Sequence, residues 1–318
     1  MTHKTFAMTG AAILALTAPF AIAAEEWTMD FAAAQKAAAG NNKDLFLEFT
    51  GSDWCPPCKM LNSEVFSKKE FLTAAAEHFV LVKLDFPKNE ASLTDEIRSQ
   101  NEELAEKYDI EGFPTVLLCD AQGRPYAATG YREGGVQPYL EHLAELRESR
   151  TKRDAALQAA TAAEGVEKAK ALAAALNGME LEFSVLQKFY GDEIAAIKAN
   201  DPDDQSGFVK KSVAQESLAA FIEQVNAHAG QGNFQGILPL VDEMLKVEGL
   251  EPVERQQITL TRASVFAQLG RFDDAIQVVD EAAKIAPESE VAQYLDGFKA
   301  ELAEARDAAA KEKAEGGE

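Results

Sequence analysis

The chain has 318 residues, 47% of them apolar and 26% charged, and a formal net charge of −22. At about 150 residues per domain this length holds two domains with cores of their own, and the composition excludes collagen-like and extensively disordered architectures. The acidic balance repels phosphate backbones and anionic lipid, so nucleic acid and membrane surfaces are not expected as partners, and three cysteines, Cys55, Cys58 and Cys119, are too few for a disulfide scaffold.

Lys4 precedes a weakly apolar run from Ala11 to Ala24 that ends in Ala21-Ile22-Ala23, the small-x-small pattern of signal-peptidase cleavage. The run is shorter than the ~20 residues a spanning helix needs. Residues 1–23 are therefore expected to be a cleaved signal peptide, leaving an exported, periplasmic chain with no membrane insertion. An oxidising compartment changes how a cysteine pair must be read.

Residues 24–150 mix helical and strand patterns and are expected to form an α/β domain. Asp30 caps a helix to Ala39 with Gly40 as its stop, and Leu45-Phe46-Leu47-Glu48-Phe49 reads as a buried strand carrying one acid. Beyond the cysteine pair, Ser67-Lys68-Lys69-Glu70 is a capping box opening a helix towards His78. The strand from Phe79 to Asp85 follows, with Lys83 inside it. A polar stretch from Pro87 to Gln100 leads into a helix ending near Tyr108, then come strands Thr115 to Cys119 and Tyr126 to Thr129 and a helix from Val136 to Leu146.

Residues 151–303 read as helices throughout. Gly270, Phe272, Ala275, Ala282 and Pro287 fall at the spacings of a tetratricopeptide repeat, and Gly232-Asn233-Phe234 suggests a degenerate earlier copy. This half resembles such a repeat stack, with an ordinary helical bundle as the alternative. Residues 304–318 are expected to be a flexible tail. Asp201-Pro202-Asp203-Asp204-Gln205-Ser206-Gly207 lacks the ligand spacing of a calcium loop and reads as a turn.

The chemistry is expected in Trp54-Cys55-Pro56-Pro57-Cys58-Lys59, after a strand and at the start of a helix. Amide hydrogens and the positive end of the helix dipole stabilise a thiolate at Cys55, which should bring its pKa from ~8.5 into the ~3.5 to 7.5 range of such sites. Two intervening residues place Cys58 one turn further in, close enough for a disulfide yet more shielded, so Cys55 should attack first and Cys58 resolve. Zinc would need four ligands, and Cys119, His78, His142 and His228 are scattered, so no metal is expected. Cys119 reads as an inert core residue. Glu48, a lone carboxylate in an apolar strand, is a candidate general base because desolvation raises its pKa, unless it faces solvent.

Trp-Cys-x-x-Cys-Lys together with Tyr108-Asp109-Ile110-Glu111-Gly112-Phe113-Pro114-Thr115 resembles the thioredoxin superfamily over roughly residues 26–148. The resemblance implies a thioredoxin fold, a central mixed sheet with flanking helices, ahead of the all-α half. It implies that Pro114 is cis and faces the cysteine pair, that the backbone of Phe113 pairs with the substrate chain, that Trp54 shields the site, and that Lys83 partners the buried acid Glu48. The link from Glu48 to Trp54 is one residue longer than usual, and Pro87 to Gln100 is an insertion. The expected function is an exported thiol–disulfide oxidoreductase that reduces protein disulfides through Cys55 and Cys58, needs no dissociable cofactor, and draws electrons from a membrane thiol-relay partner. The alternatives are a disulfide oxidase, or a scaffold whose helical half binds one client or self-associates.

Overall fold

The computed structural model describes residues 27–179 and 181–315, so the expected signal peptide lies outside the described residues. Helix α1 (Phe31–Asn41) starts as expected, because the Asp30 carboxylate accepts the Ala33 amide at 2.8 Å. It does not stop at Gly40. The chain turns out at Asn42, whose φ of 53° is a left-handed conformation that asparagine tolerates. Strand β1 (Asp44–Thr50) is buried along its whole length, which accounts for its nearly unbroken apolar run.

Helix α2 (Pro56–Leu61) carries its prolines in the first turn, where a missing amide costs nothing. It runs on through a π turn over Asn62–Phe66, whose extra residue turns both Val65 and Phe66 inward. The expected capping box does not form. The Ser67 amide closes the π turn onto the carbonyls of Asn62 and Val65, and α3 (Lys69–Ala76) begins from Lys68 without a side-chain cap. Strand β2 (Phe79–Asp85) is followed by α4 (Asp95–Lys107), so the second part of the expected polar insertion is helical, capped by Thr94. Strands β3 (Thr115–Cys119) and β4 (Pro125–Thr129) complete the sheet, in the order β2-β1-β3-β4 with only β1 and β2 parallel.

The sheet is covered on both faces. From one face of β1 the Phe46 ring meets Phe66 at 5.4 Å and Phe71 at 5.9 Å, and Phe66 meets Tyr139 at 5.4 Å. That face lies under the α2 helix with its π turn, α3 and α5 (Val136–Thr161). From the other face Phe49 meets Tyr108 at 6.0 Å, which in turn meets Phe31 of α1.

Helix α5 runs unbroken through the boundary expected near residue 150. No glycine or proline interrupts residues 139–161, and the tertiary structure uses the extra turns. Arg150 pairs with buried Asp44, and Arg153 with buried Asp120 at 3.1 Å. The chain divides into two units, one running up to Asp154 and including Gly178–Leu181, the other made of Ala155–Asn177 and Glu182–Glu318.

The second unit is helical: α6 (Gly165–Asn177), α7 (Phe183–Phe189), α8 (Gly191–Asn200), α9 (Phe208–Gly230), α10 (Ile237–Met244), α11 (Pro252–Gln268), α12 (Phe272–Ile285) and α13 (Leu295–Glu315). Helices α11 and α12 pack as a pair across a turn at Gly270, whose φ of +70° suits glycine. Buried Gln256 of α11 donates to the carbonyls of Ala282 and Ala286, closing the end of α12. Residues 304–315, expected as a flexible tail, are helical and continue α13, in which Leu302 is buried and Arg306 pairs with Asp273 at 3.0 Å. The segment after Asp201 is a turn as expected, with that carboxylate taking the amides of Gln205 and Ser206. Among the described residues no helix is long and apolar enough to cross a membrane.

Candidate active site

Cys55 and Cys58 are joined in a disulfide with their Cα atoms 5.3 Å apart. Cys55 is the N-cap of α2, and its sulfur accepts the Cys58 amide at 3.3 Å. With Pro56 and Pro57 lacking amide hydrogens, the Cys58 N–H is the first donor the helix can aim at that sulfur. Exposure distinguishes the two cysteines less than expected: Cys55 is 3% exposed and Cys58 1%. Their surroundings differ more. The Cys55 sulfur lies 3.6 Å from the carbonyl oxygen of Phe113, and the Phe113–Pro114 peptide, just ahead of β3, is cis.

Glu48 does not face solvent. It is 2% exposed, on the sheet face shared with Phe46 and therefore beneath the layer that carries Cys58. In register it lies between Lys83 of β2 and Val116 of β3. Burial pushes its carboxyl up to about 7, against the opposing pull of the Lys83 ammonium and a hydrogen bond with Thr50. A carboxyl so placed is half ionised near neutral pH and can take or return a proton. Lys83 is only partly buried, so its charge is offset partly by water. Burial, and after it the Glu48 charge, raises the phenol of Tyr139 on α5, whose hydroxyl donates to the Gly130 carbonyl at 3.3 Å.

Three consecutive side chains ahead of Cys55 fasten this loop to the segment after β2. Ser52 donates through its amide and hydroxyl to Asp85, at 2.9 and 2.6 Å. The Asp53 carboxylate accepts the amides of Lys88 and Asn89, which hold it below the usual carboxylate range. The Trp54 indole donates to the Phe86 carbonyl at 2.8 Å, and its ring lies so close to Gly51 that a Cβ there would sit 2.6 Å from it. The rings of Trp54 and Phe113 meet edge to face at 5.9 Å, and Phe86 lies over Phe113 at 5.0 Å. Asp53, Asp85 and Phe86 escape a reading by motif, since each works through a neighbour distant in sequence. The abrupt end of the apolar β2 run at Asp85 was the available signal.

The remaining candidates have other surroundings and partners. Cys119 is fully buried at the end of β3, where burial and the Asp120 charge push its thiol up and keep it protonated. Burial lowers the pKa of both His78 and His142, the latter bonded to Thr129 at 3.0 Å, while His228 pairs with Asn233. Among the described residues no group of three or more His, Cys, Asp or Glu side chains is arranged to hold a metal.

A family model described as a thioredoxin-like domain matches residues 31–144. The chain is 34% identical over 127 residues to the disulfide bond reductase DsbH of Chlamydia pneumoniae, a stretch amounting to 40% of this chain and 75% of that protein. It is 29% identical over 119 residues to the thioredoxin-related protein DsbJ of the same organism, covering 35% of this chain and 34% of DsbJ. It is 31% identical over 122 residues to the thiol:disulfide interchange protein DsbD of Vibrio vulnificus, covering 37% of this chain and only 18% of DsbD. A solved structure of a DsbH oxidoreductase is similar at 32% identity over 43% of this chain and 93% of its own, with a TM-score of 0.37. Identity at this level across three quarters of a relative, together with a family model whose matched residues include the dithiol, settles the family: the chain belongs to the thioredoxin-like family of thiol–disulfide oxidoreductases.

Proposed function

We propose that the chain is an exported reductase of protein disulfides. The observation that carries this reading is the buried Glu48, poised near neutrality on the sheet face beneath the helix that holds the cysteine pair. In the reduced enzyme the Cys55 thiolate attacks one sulfur of a substrate disulfide, forming a mixed disulfide and releasing the other substrate sulfur as a thiolate. Glu48 takes the proton of the Cys58 thiol, directly or through a water. The Cys58 thiolate then attacks the Cys55 sulfur, expelling the second substrate thiolate and closing the Cys55–Cys58 bond. Two electrons pass from the dithiol to the substrate. Lys83 holds Glu48 in its anionic form for part of the cycle, Trp54 shields the pair, and the backbone beside Phe113 and Pro114 seats the substrate strand.

Closing that cycle requires a dithiol donor to reopen the Cys55–Cys58 bond. For a chain outside the cytoplasm the donor is a thiol relay in the membrane, a role compatible with the likeness to DsbD, itself named for thiol:disulfide interchange. The helical unit, with its tetratricopeptide-like α11–α12 pair, is the part we assign to holding a client or a second copy.

Equilibration of the full chain with a glutathione or dithiothreitol couple tests the direction. A potential near about −270 mV supports a reductase, and one near about −120 mV replaces it with an oxidase. Trapping with Cys58→Ala, which halts the reaction at the mixed disulfide on Cys55, identifies the clients. Equal trapping by Cys55→Ala would overturn this order of attack.

A further inference from the structure

We propose that Phe86, on the segment just beyond β2, is a specificity-determining residue that selects disulfides whose cysteine is flanked by a bulky apolar side chain. This deepens the reductase reading and rests on it. Cys55 is only 3% exposed, so a substrate sulfur reaches it only if the flanking residues lie flat against the surface around it. On the side of Phe113, whose carbonyl is 3.6 Å from the Cys55 sulfur, that surface is made of rings. Phe86 overlaps Phe113 at 5.0 Å with 31° between the planes, and Trp54 closes on Phe113 edge to face. An aromatic face stabilises an apolar side chain laid on it and offers a polar one little.

The wall is also held in advance of binding. The Phe86 carbonyl takes the Trp54 indole N–H, and its amide donates to the Thr50 carbonyl at 2.8 Å. Asp85 before it holds Ser52, and the Lys88 and Asn89 amides after it are fixed on Asp53. Both flanks of Phe86 are thus tied to the loop that carries Cys55, and little ordering is left to be done when a substrate arrives. The Lys88 ammonium sits 5.7 Å from the centre of the Trp54 ring, on the rim of the wall.

The test uses the full chain, reduced beforehand, and two disulfide-linked peptides of equal charge that differ only in Phe or Gly next to the cysteine. The expected result is a kcat/KM about tenfold higher for the Phe peptide, expressed chiefly in KM, the size of one or two aromatic contacts. Equal rates on the two peptides overturn the proposal, and a chain that reduces neither sinks the reductase reading itself. Phe86→Ala is expected to bring the ratio close to one, and an unchanged ratio overturns the assignment to Phe86. Should that variant fail to fold, Phe86→Gln, which keeps a longer side chain but removes the aromatic face, carries the same two outcomes.

Discussion

The two units of this chain treat charge in opposite ways. In the unit up to Asp154, ionisable groups lie inside the protein: Glu48 in the central strand, and Asp44 and Asp120 against arginines of α5. In the helical unit the ion pairs lie on the surface, as with Lys210 and Glu248 at 2.9 Å, and the buried polar groups are mostly neutral, such as Gln256, Thr259 and Ser212. Its buried acid Asp201 has its oxygens occupied by backbone amides. A buried charge costs stability unless it is paired, so an unpaired or half-paired one marks a place where something other than stability is served. By that measure Glu48, which Lys83 offsets only in part, separates the reactive unit from the helical one more clearly than composition does.

Four experiments test that contrast. Cys55→Ala is expected to abolish insulin reduction by the full chain, and residual turnover would move the chemistry to another group. Arg153→Ala, which leaves buried Asp120 without its cation, should cost about 3 to 5 kcal/mol in urea unfolding. A loss no greater than that of a surface ion pair would show that burial is not the distinguishing feature. It follows that a fragment ending at residue 150, the limit the composition suggests, lacks a residue its own core uses.

Glu48→Gln gives effects of two signs. Removing the base is expected to slow the Cys58 step about 100-fold, and to erase the rise in rate expected of wild type as pH passes through about 7. The same change should stabilise the fold. A carboxyl raised from 4.5 to about 7 binds more protons folded than unfolded between those values, so stability falls as pH rises through that window. At pH 8 the variant gains about 3 kcal/mol over wild type, and at pH 4 the gain disappears. A wild-type stability that climbs from pH 5 to pH 7 while the variant's stays level would contradict the burial argument. Lys210→Ala marks the small end of the scale, since the exposed pair with Glu248 should leave the unfolding midpoint unchanged.

The elements whose signals are local in sequence were legible. All four strands, the Asp30 cap and the turn after Asp201 appear within a residue or two of where their patterns place them. Signals that competed with an unseen partner misled. Ser67 and Glu70 have the spacing of a capping box, but the π turn claims the Ser67 amide first. Gly40 is a reasonable helix stop, yet the left-handed turn falls at Asn42, whose amide returns to the Ala38 carbonyl.

A dithiol at a helix start, an acid interrupting the first strand and two kinds of architecture in one chain are all legible in the linear order of residues, because they depend on spacing, periodicity and composition. Folding in three dimensions turns Glu48 inward under the layer bearing Cys58, brings Arg153, beyond residue 150, onto buried Asp120, and fastens residues 85–89 to the cysteine loop. Desolvation and hydrogen bonding between segments some thirty or more residues apart are properties of the assembled surfaces. No single stretch of chain encodes them alone.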